Sequence, residues 1–135
     1  MPLARYSLDA NILSYILEGN PVVASRLAAV ASTSEIVLCP MAAYEVWRGL
    51  KKAGLAKKLE AFSAFVSTCT WLEFTRGIWS DAAEGWAELK RRGVSVEDAD
   101  LLIGYHAKHF SAVLVTHNVR HFKELGLVIE DWLES

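Results

Sequence analysis

Ala112-Val113-Leu114-Val115-Thr116-His117-Asn118 is the stretch that decides the fold. Apolar residues run from 112 to 115 and stop at a polar Thr-His-Asn. This predicts a buried strand over 112–116 that turns into a short helix at about 118–125. The same grammar recurs upstream. Residues 4–8 read as a strand running into Asp9 and a helix with Ile12, Leu13, Ile16 and Leu17 on one face. Residues 35–38 (Glu-Ile-Val-Leu) read as a strand followed by Pro40, which suits a first helical turn, and by a helix carrying Glu45. Asn20-Pro21 starts a further helix, Ala53-Gly54 marks a helix–helix turn, and residues 55–66 form its second arm. Short strands are expected at 70–74 and 127–129, and helices at 78–92 and 95–109. Strands alternating with helices imply one α/β domain over residues 1–135, three-layer α/β/α around a mainly parallel sheet.

The bulk numbers agree with a folded chain. At 135 residues and 53% hydrophobic content it is long enough to bury a core. Fourteen basic and 16 acidic residues leave a formal charge of -2, so any nucleic-acid footprint must be a local patch. Cys39 and Cys69 lack metal-ligand spacing and read as small buried residues of a reduced, cytoplasmic protein. No signal peptide and no apolar run of membrane-spanning length is expected.

Four polar positions fall at or just beyond strand C-termini: Asp9, Glu45, Asp100 and Asn118. Open α/β sheets take their ligands at that end. Each position also has an ordinary reading. Asp9 and Asn118 suit helix N-caps. Glu45 can pair with Arg48 at i+3. Ser95-x-x-Asp98 has the form of a capping box, which makes Asp98 the cap and leaves Asp100 on the stripe shared with Ile103, Gly104 and Ala107. Asn11 and Thr116 add polar groups beside Asp9 and Asn118. Hard divalent cations take oxygen ligands, and Mg²⁺ in particular is held by a few carboxylates plus substrate phosphate. Such ions activate water and stabilise leaving oxygens. The joint pattern therefore points to metal-dependent phosphoester chemistry.

The same residues resemble the PIN-domain family, and within it the VapC-type toxins of toxin–antitoxin pairs. Tyr6-Ser-Leu-Asp-Ala-Asn-Ile-Leu-Ser-Tyr15 looks like the first family motif and Tyr44-Glu-Val-Trp-Arg-Gly49 like the second. Asp98-Ala-Asp-Leu-Leu-Ile103 resembles the third. Residues 114–122 with Gly126-Leu127 and Glu130-Asp131-Trp132 resemble the C-terminal end. The resemblance implies an endoribonuclease that uses Mg²⁺ or Mn²⁺, with Asp9, Glu45 and Asp100 as ligands and Asn118 at a fourth position that is often Asp. It implies support from Asn11, Thr116 and the outlying Asp98. It also implies an RNA substrate such as tRNA, products with 5′-phosphate and 3′-hydroxyl ends, a homodimer, and a cognate antitoxin through which DNA is contacted. A binding module that has lost turnover is the alternative, kept open by the uncharged Asn118.

Other features have plainer readings. Arg48, Lys51 and Lys52, with Lys57 and Lys58 nearby, could grip phosphates or be solvated helix ends. Trp47, Trp79 and Trp86 suit a core or an interface. His106, His109, His117 and His121 are spaced along helices without a zinc pattern and read as surface residues.

Overall fold

The computed structural model describes residues 3–134. Its strands are β1 (Ala4–Leu8), β2 (Ser34–Leu38), β3 (Thr70–Trp71), β4 (Val113–Val115) and β5 (Ile129–Glu130). They form one sheet in the order β3-β2-β1-β4-β5, parallel at every pairing. Parallel neighbours need crossover connections, which helices supply on the sheet faces. Those helices are α1 (Ala10–Leu17), α2 (Pro21–Ala31), α3 (Pro40–Ala53), α4 (Ala56–Val66), α5 (Arg76–Arg91), α6 (Asp98–His109) and α7 (Val119–Phe122). The three-layer arrangement expected from the sequence is present.

Burial explains the strands. Leu8, Val37, Leu38, Leu114 and Val115 have no solvent exposure, as expected for strands covered on both faces. Ile12 and Leu13 of α1, Ala42, Ala43 and Val46 of α3, Phe62 of α4 and Ile103 and Ala107 of α6 complete the core with Phe122 and Trp132. Local chemistry sets the element starts and stops. Asn20 Oδ1 accepts from the backbone N–H groups of Val22 and Val23, and Pro21 opens α2. Gly54 ends α3 in the left-handed region at φ 68°, where a side chain would be strained.

The chain's path creates one switch in direction. From β1 it moves outward through β2 to β3, then crosses back to lay β4 on the other side of β1. The crevice between the C-termini of β1 and β4 is the topological switch point, where open α/β sheets bind ligands.

Several expectations need correction. The third strand stops at Trp71 and not at 74, because its pairing reaches only from Val37↔Thr70 to Leu38↔Trp71. The last strand lies two residues later than expected, and α5 begins at Arg76 because Thr75 Oγ1 caps it by accepting from Ile78 N. The capping box at Ser95 does not form. Ser95 Oγ instead accepts from Lys90 Nζ at 3.3 Å, and α6 starts at Asp98 behind Glu97, which makes no side-chain cap. Asp98 is exposed and lines a groove with Trp79, Trp86, Leu101 and Leu102. Trp79 and Trp86 are thus solvent-facing, whereas Trp47 packs on Phe62 and Trp71.

His106 is not a surface residue. It is fully buried, its ring lies against Phe74 and Phe110, and its Nε2 bonds the Leu72 carbonyl at 2.6 Å. Burial pushes its pKa below the usual imidazole value, which favours the neutral ring. Cys39 is buried and Cys69 half-buried, and both thiols are free.

Gly104 is where α6 comes closest to the turn after α7. A Cβ there would run into the side chain of buried Leu125. Gly104→Val should lower unfolding stability by roughly 1–3 kcal/mol through overpacking. Chemical denaturation checks this, and unchanged stability would mean that α6 can move off its bed freely.

Candidate active site

Asp9 stands at the end of β1 because the sheet ladder runs one residue past the strand: Asp9 N donates to Val115 O at 2.9 Å. It is also the N-cap of α1, with Oδ1 accepting from Ala10 N at 2.8 Å. Its other oxygen, Oδ2, accepts from Thr116 Oγ1 at 2.7 Å. Thr116 is fully buried and its hydroxyl accepts in turn from Asn118 N at 3.0 Å. The cap and the site are therefore one residue, not rival assignments. Asp9 is 4% exposed, far from the usual fate of an aspartate.

Glu45 projects from the second turn of α3, which starts directly after β2. Asp100 sits in the first turn of α6. Their side chains are 23% and 18% exposed, so both are mostly withdrawn from water. Desolvation by burial is the largest cause raising the pKa of all three carboxylates. Mutual repulsion adds to it: the charge of Asp100 raises Asp9, and those of Asp9 and Asp100 raise Glu45. These shifts tie the three groups into one electrostatic unit at the switch point. The Glu45–Arg48 pair does form, at 3.6 Å, but Arg48 is 59% exposed and offers little compensation.

The remaining expected residues are placed as follows. Asn11 Oδ1 accepts from His117 N at 3.4 Å, tying the β4–α7 turn to the first turn of α1. Asn118 occupies the N-cap position of α7 but makes no side-chain cap, and it is exposed. Asp98 points into the tryptophan groove described above. Lys51 and Lys52 are exposed in the last turn of α3.

His121, read from the sequence as a surface residue, is exposed, but it also touches one of the carboxylates. Its Nδ1 lies 3.0 Å from Asp100 Oδ2, and its charge lowers the pKa of both Asp100 and Asp9. It is the α7 side chain that reaches the carboxylates. The signal for that contact was its place on α7, the short helix that follows the β4 C-terminus. His121 also lines an open cleft with Val96, Glu97, Asp100, Arg120 and Lys123. A second histidine, His117, meets Asp131 at 3.0 Å. Its donor atoms lie within 4.8 Å of those of Asp131 and Glu134. Glu134 is exposed, and Asp131 already accepts from Leu133 N.

Three carboxylates withdrawn from water, with the charges of Asp9 and Asp100 opposing that of Glu45, suit a hard divalent cation. Without one, their charges oppose the fold. The raised values mean that the native state holds protons that the unfolded chain releases. That stabilisation is complete below the ordinary carboxylate values (3.8 for Asp) and is lost as pH rises through the raised ones. Metal-free Asp100→Asn should therefore melt with the wild type near about pH 4 and a few degrees above it at pH 7. Thermal unfolding in chelator checks this, and a wild type that is the more stable at pH 7 would contradict it.

Comparison with known proteins returns a consistent set. Residues 6–127 match the family model for the PIN domain. The chain is 28% identical over 130 residues to ribonuclease VapC2 of Rickettsia felis, covering 94% of this chain and 97% of that one. It is 26% identical over 132 residues to the tRNA(fMet)-specific endonuclease VapC of Shigella flexneri, covering 96% and 99%. Among solved structures it is similar to Rickettsia felis VapBC2 bound to a DNA fragment from their promoter. The TM-score is 0.88 at 26% identity, over 95% of this chain and 98% of that one.

Proposed function

Because the chain belongs to the PIN-domain family, we propose that its carboxylate pocket hydrolyses RNA phosphodiester bonds with a bound divalent cation, as a toxin restrained by an antitoxin. The observation that supports this reading is that Asp9, Glu45 and Asp100 are withdrawn from water and electrostatically coupled, each with its pKa raised. Asp9, Glu45 and Asp100 would hold Mg²⁺ or Mn²⁺. When bound, the ion would neutralise charge, activate water and stabilise the leaving oxygen.

The protein's own residues would do the rest. Thr116 fixes one oxygen of Asp9, and the backbone N–H of Asn118 fixes Thr116. Asn11 pins the turn that carries both His117 and Asn118. Arg48, Lys51 and Lys52 follow Glu45 along α3. Arg120 and Lys123 line the cleft beside Asp100. These cations would hold an RNA backbone across the carboxylates despite a net charge of -2. Attack by water that breaks the bond from phosphorus to the 3′-oxygen would leave a 5′-phosphate and a 3′-hydroxyl.

The partners follow from the relatives. A solved relative is a VapBC complex on promoter DNA, which supports a VapB-type antitoxin and DNA contact through that complex. The tRNA-specific relative supports tRNA as the substrate. We read the chain as one PIN-like domain that works as a homodimer in the cytoplasm. Among the described residues no helix is long and apolar enough to cross a membrane.

Purified protein should cut total cellular RNA into discrete products with Mg²⁺ or Mn²⁺, and EDTA should abolish the cutting. Outer-shell changes at metal sites cost about 10–100-fold. Asp100→Asn, which removes a direct donor, should therefore cost at least about 100-fold. Cleavage that survives in chelator, or in the variant, would reject the site.

A further inference from the structure

We propose that His117, Asp131 and Glu134 form a second cation site, separate from the Asp9, Glu45 and Asp100 pocket, that takes Zn²⁺ or a similar first-row transition dication. The inference does not depend on the carboxylate pocket holding a metal.

The donors come from two stretches of chain that leave neighbouring strands. His117 follows β4, and Asp131 and Glu134 follow β5. One imidazole nitrogen and one oxygen from each carboxylate all lie within 4.8 Å of one another. Donors bound at about 2.1 Å to a tetrahedral ion stand about 3.4 Å apart. Glu134 is exposed, so its side chain is free to close the remaining gap. All three residues line one open cleft. His121 shares that cleft, but its Nδ1 faces Asp100 at 3.0 Å.

Two of the three donors are already held in place. The Asp131 side chain is only 10% exposed, and Trp132 beside it is buried. Asp131 Oδ1 accepts from Leu133 N at 3.0 Å, which leaves Oδ2 facing His117. The imidazole of His117 stands edge-on to the Tyr15 ring, and its backbone N–H donates to Asn11 Oδ1. Among the described residues neither Asp131 nor Glu134 forms a carboxylate ion pair with lysine or arginine. A carboxylate so withdrawn from water calls for positive charge. The imidazole gives that charge only when protonated, whereas a dication bridging Asp131 to Glu134 gives it outright.

The donor types select the ion. One nitrogen and two oxygens suit Zn²⁺ and its first-row neighbours, while Mg²⁺ and Ca²⁺ prefer oxygen alone. Three protein donors leave a fourth position for water. The ion would clamp the β4–α7 turn to the segment after β5. That turn begins at Thr116, whose hydroxyl holds Asp9, so filling this site would also steady the neighbouring pocket.

Zn²⁺ added to ¹⁵N-labelled protein reads the coordination directly, through the ring nitrogens of the four histidines, and needs no activity. A His117 ring nitrogen should shift at low Zn²⁺, identified by the loss of that signal in His117→Ala. Calorimetric titration with Zn²⁺ gives the affinities. Outer-shell changes at metal sites cost about 10–100-fold, so loss of a direct donor in His117→Ala or Glu134→Gln should weaken this site at least about 100-fold. Asp100→Asn should leave it unchanged. His117 and Glu134 are both exposed, so folded variants are the expected result, and circular dichroism checks it. An unmoved His117 ring, or His109, His117 and His121 shifting together as adventitious surface ligands, would overturn the inference. Zn²⁺ binding that needs Asp100 but neither His117 nor Glu134 would overturn it and leave the carboxylate pocket standing. Zn²⁺ binding that needs His117 and Glu134 but not Asp100 would support it, whatever the fate of the pocket.

Discussion

Three carboxylates are held in a place where they repel one another and are partly cut off from water, and the rest of the structure bears on that constraint. Asp9 is the centre of it. It ends the middle strand, caps the first helix and accepts from a buried threonine of the neighbouring strand. Moving it would cost a cap and a buried hydrogen bond together. Glu45 arrives on α3, which follows β2, and Asp100 on α6, which leads into β4, so both are carried by helices tied to the sheet. A fold that only needed stability would not assemble this set. Burial and like charge both favour the protonated carboxyls that a cation would displace.

The same arrangement explains how a mildly acidic chain could still work on RNA. Net charge governs long-range steering, but phosphates are gripped locally. Arg48 pairs with Glu45, and Arg120 and Lys123 line the cleft beside Asp100. On the far face of α6, Trp79 and Trp86 expose an apolar groove with Asp98 at its rim. Substrate chemistry and apolar surface thus occupy different sides of one helix.

Much of this was legible in the sequence because strand ends announce themselves. The apolar run at 112–115 stopping at Thr116, and the one before Asp9, located the switch point's two strands without any coordinates. Asp9 and Glu45 stood out as candidates for the same reason, one following a strand and the other riding on the helix behind one, whereas Asp100 stands on α6, which follows α5 and leads into β4. Other features were not. Ser95 looked like a helix cap, but a lysine from the preceding helix claims its hydroxyl, and no local pattern reports such a contact. His106 looked like a surface residue because its spacing from His109 hid that it shares the inner face with Ile103 and Ala107. The surface reading of His121 held, but its contact with Asp100 was not legible, because that residue lies on a different helix. Asn118 drew attention in its place, since it stands nearer the strand end, although its backbone makes the structural contact and its side chain is exposed.

Anomalous diffraction from a crystal soaked in Mn²⁺ would locate the ion without recourse to activity. The structure predicts a peak bounded by Asp9, Glu45 and Asp100, at the C-terminal end of β1. No peak there, or a peak confined to His117, Asp131 and Glu134, would contradict the idea that the crowded carboxylates exist to hold a cation.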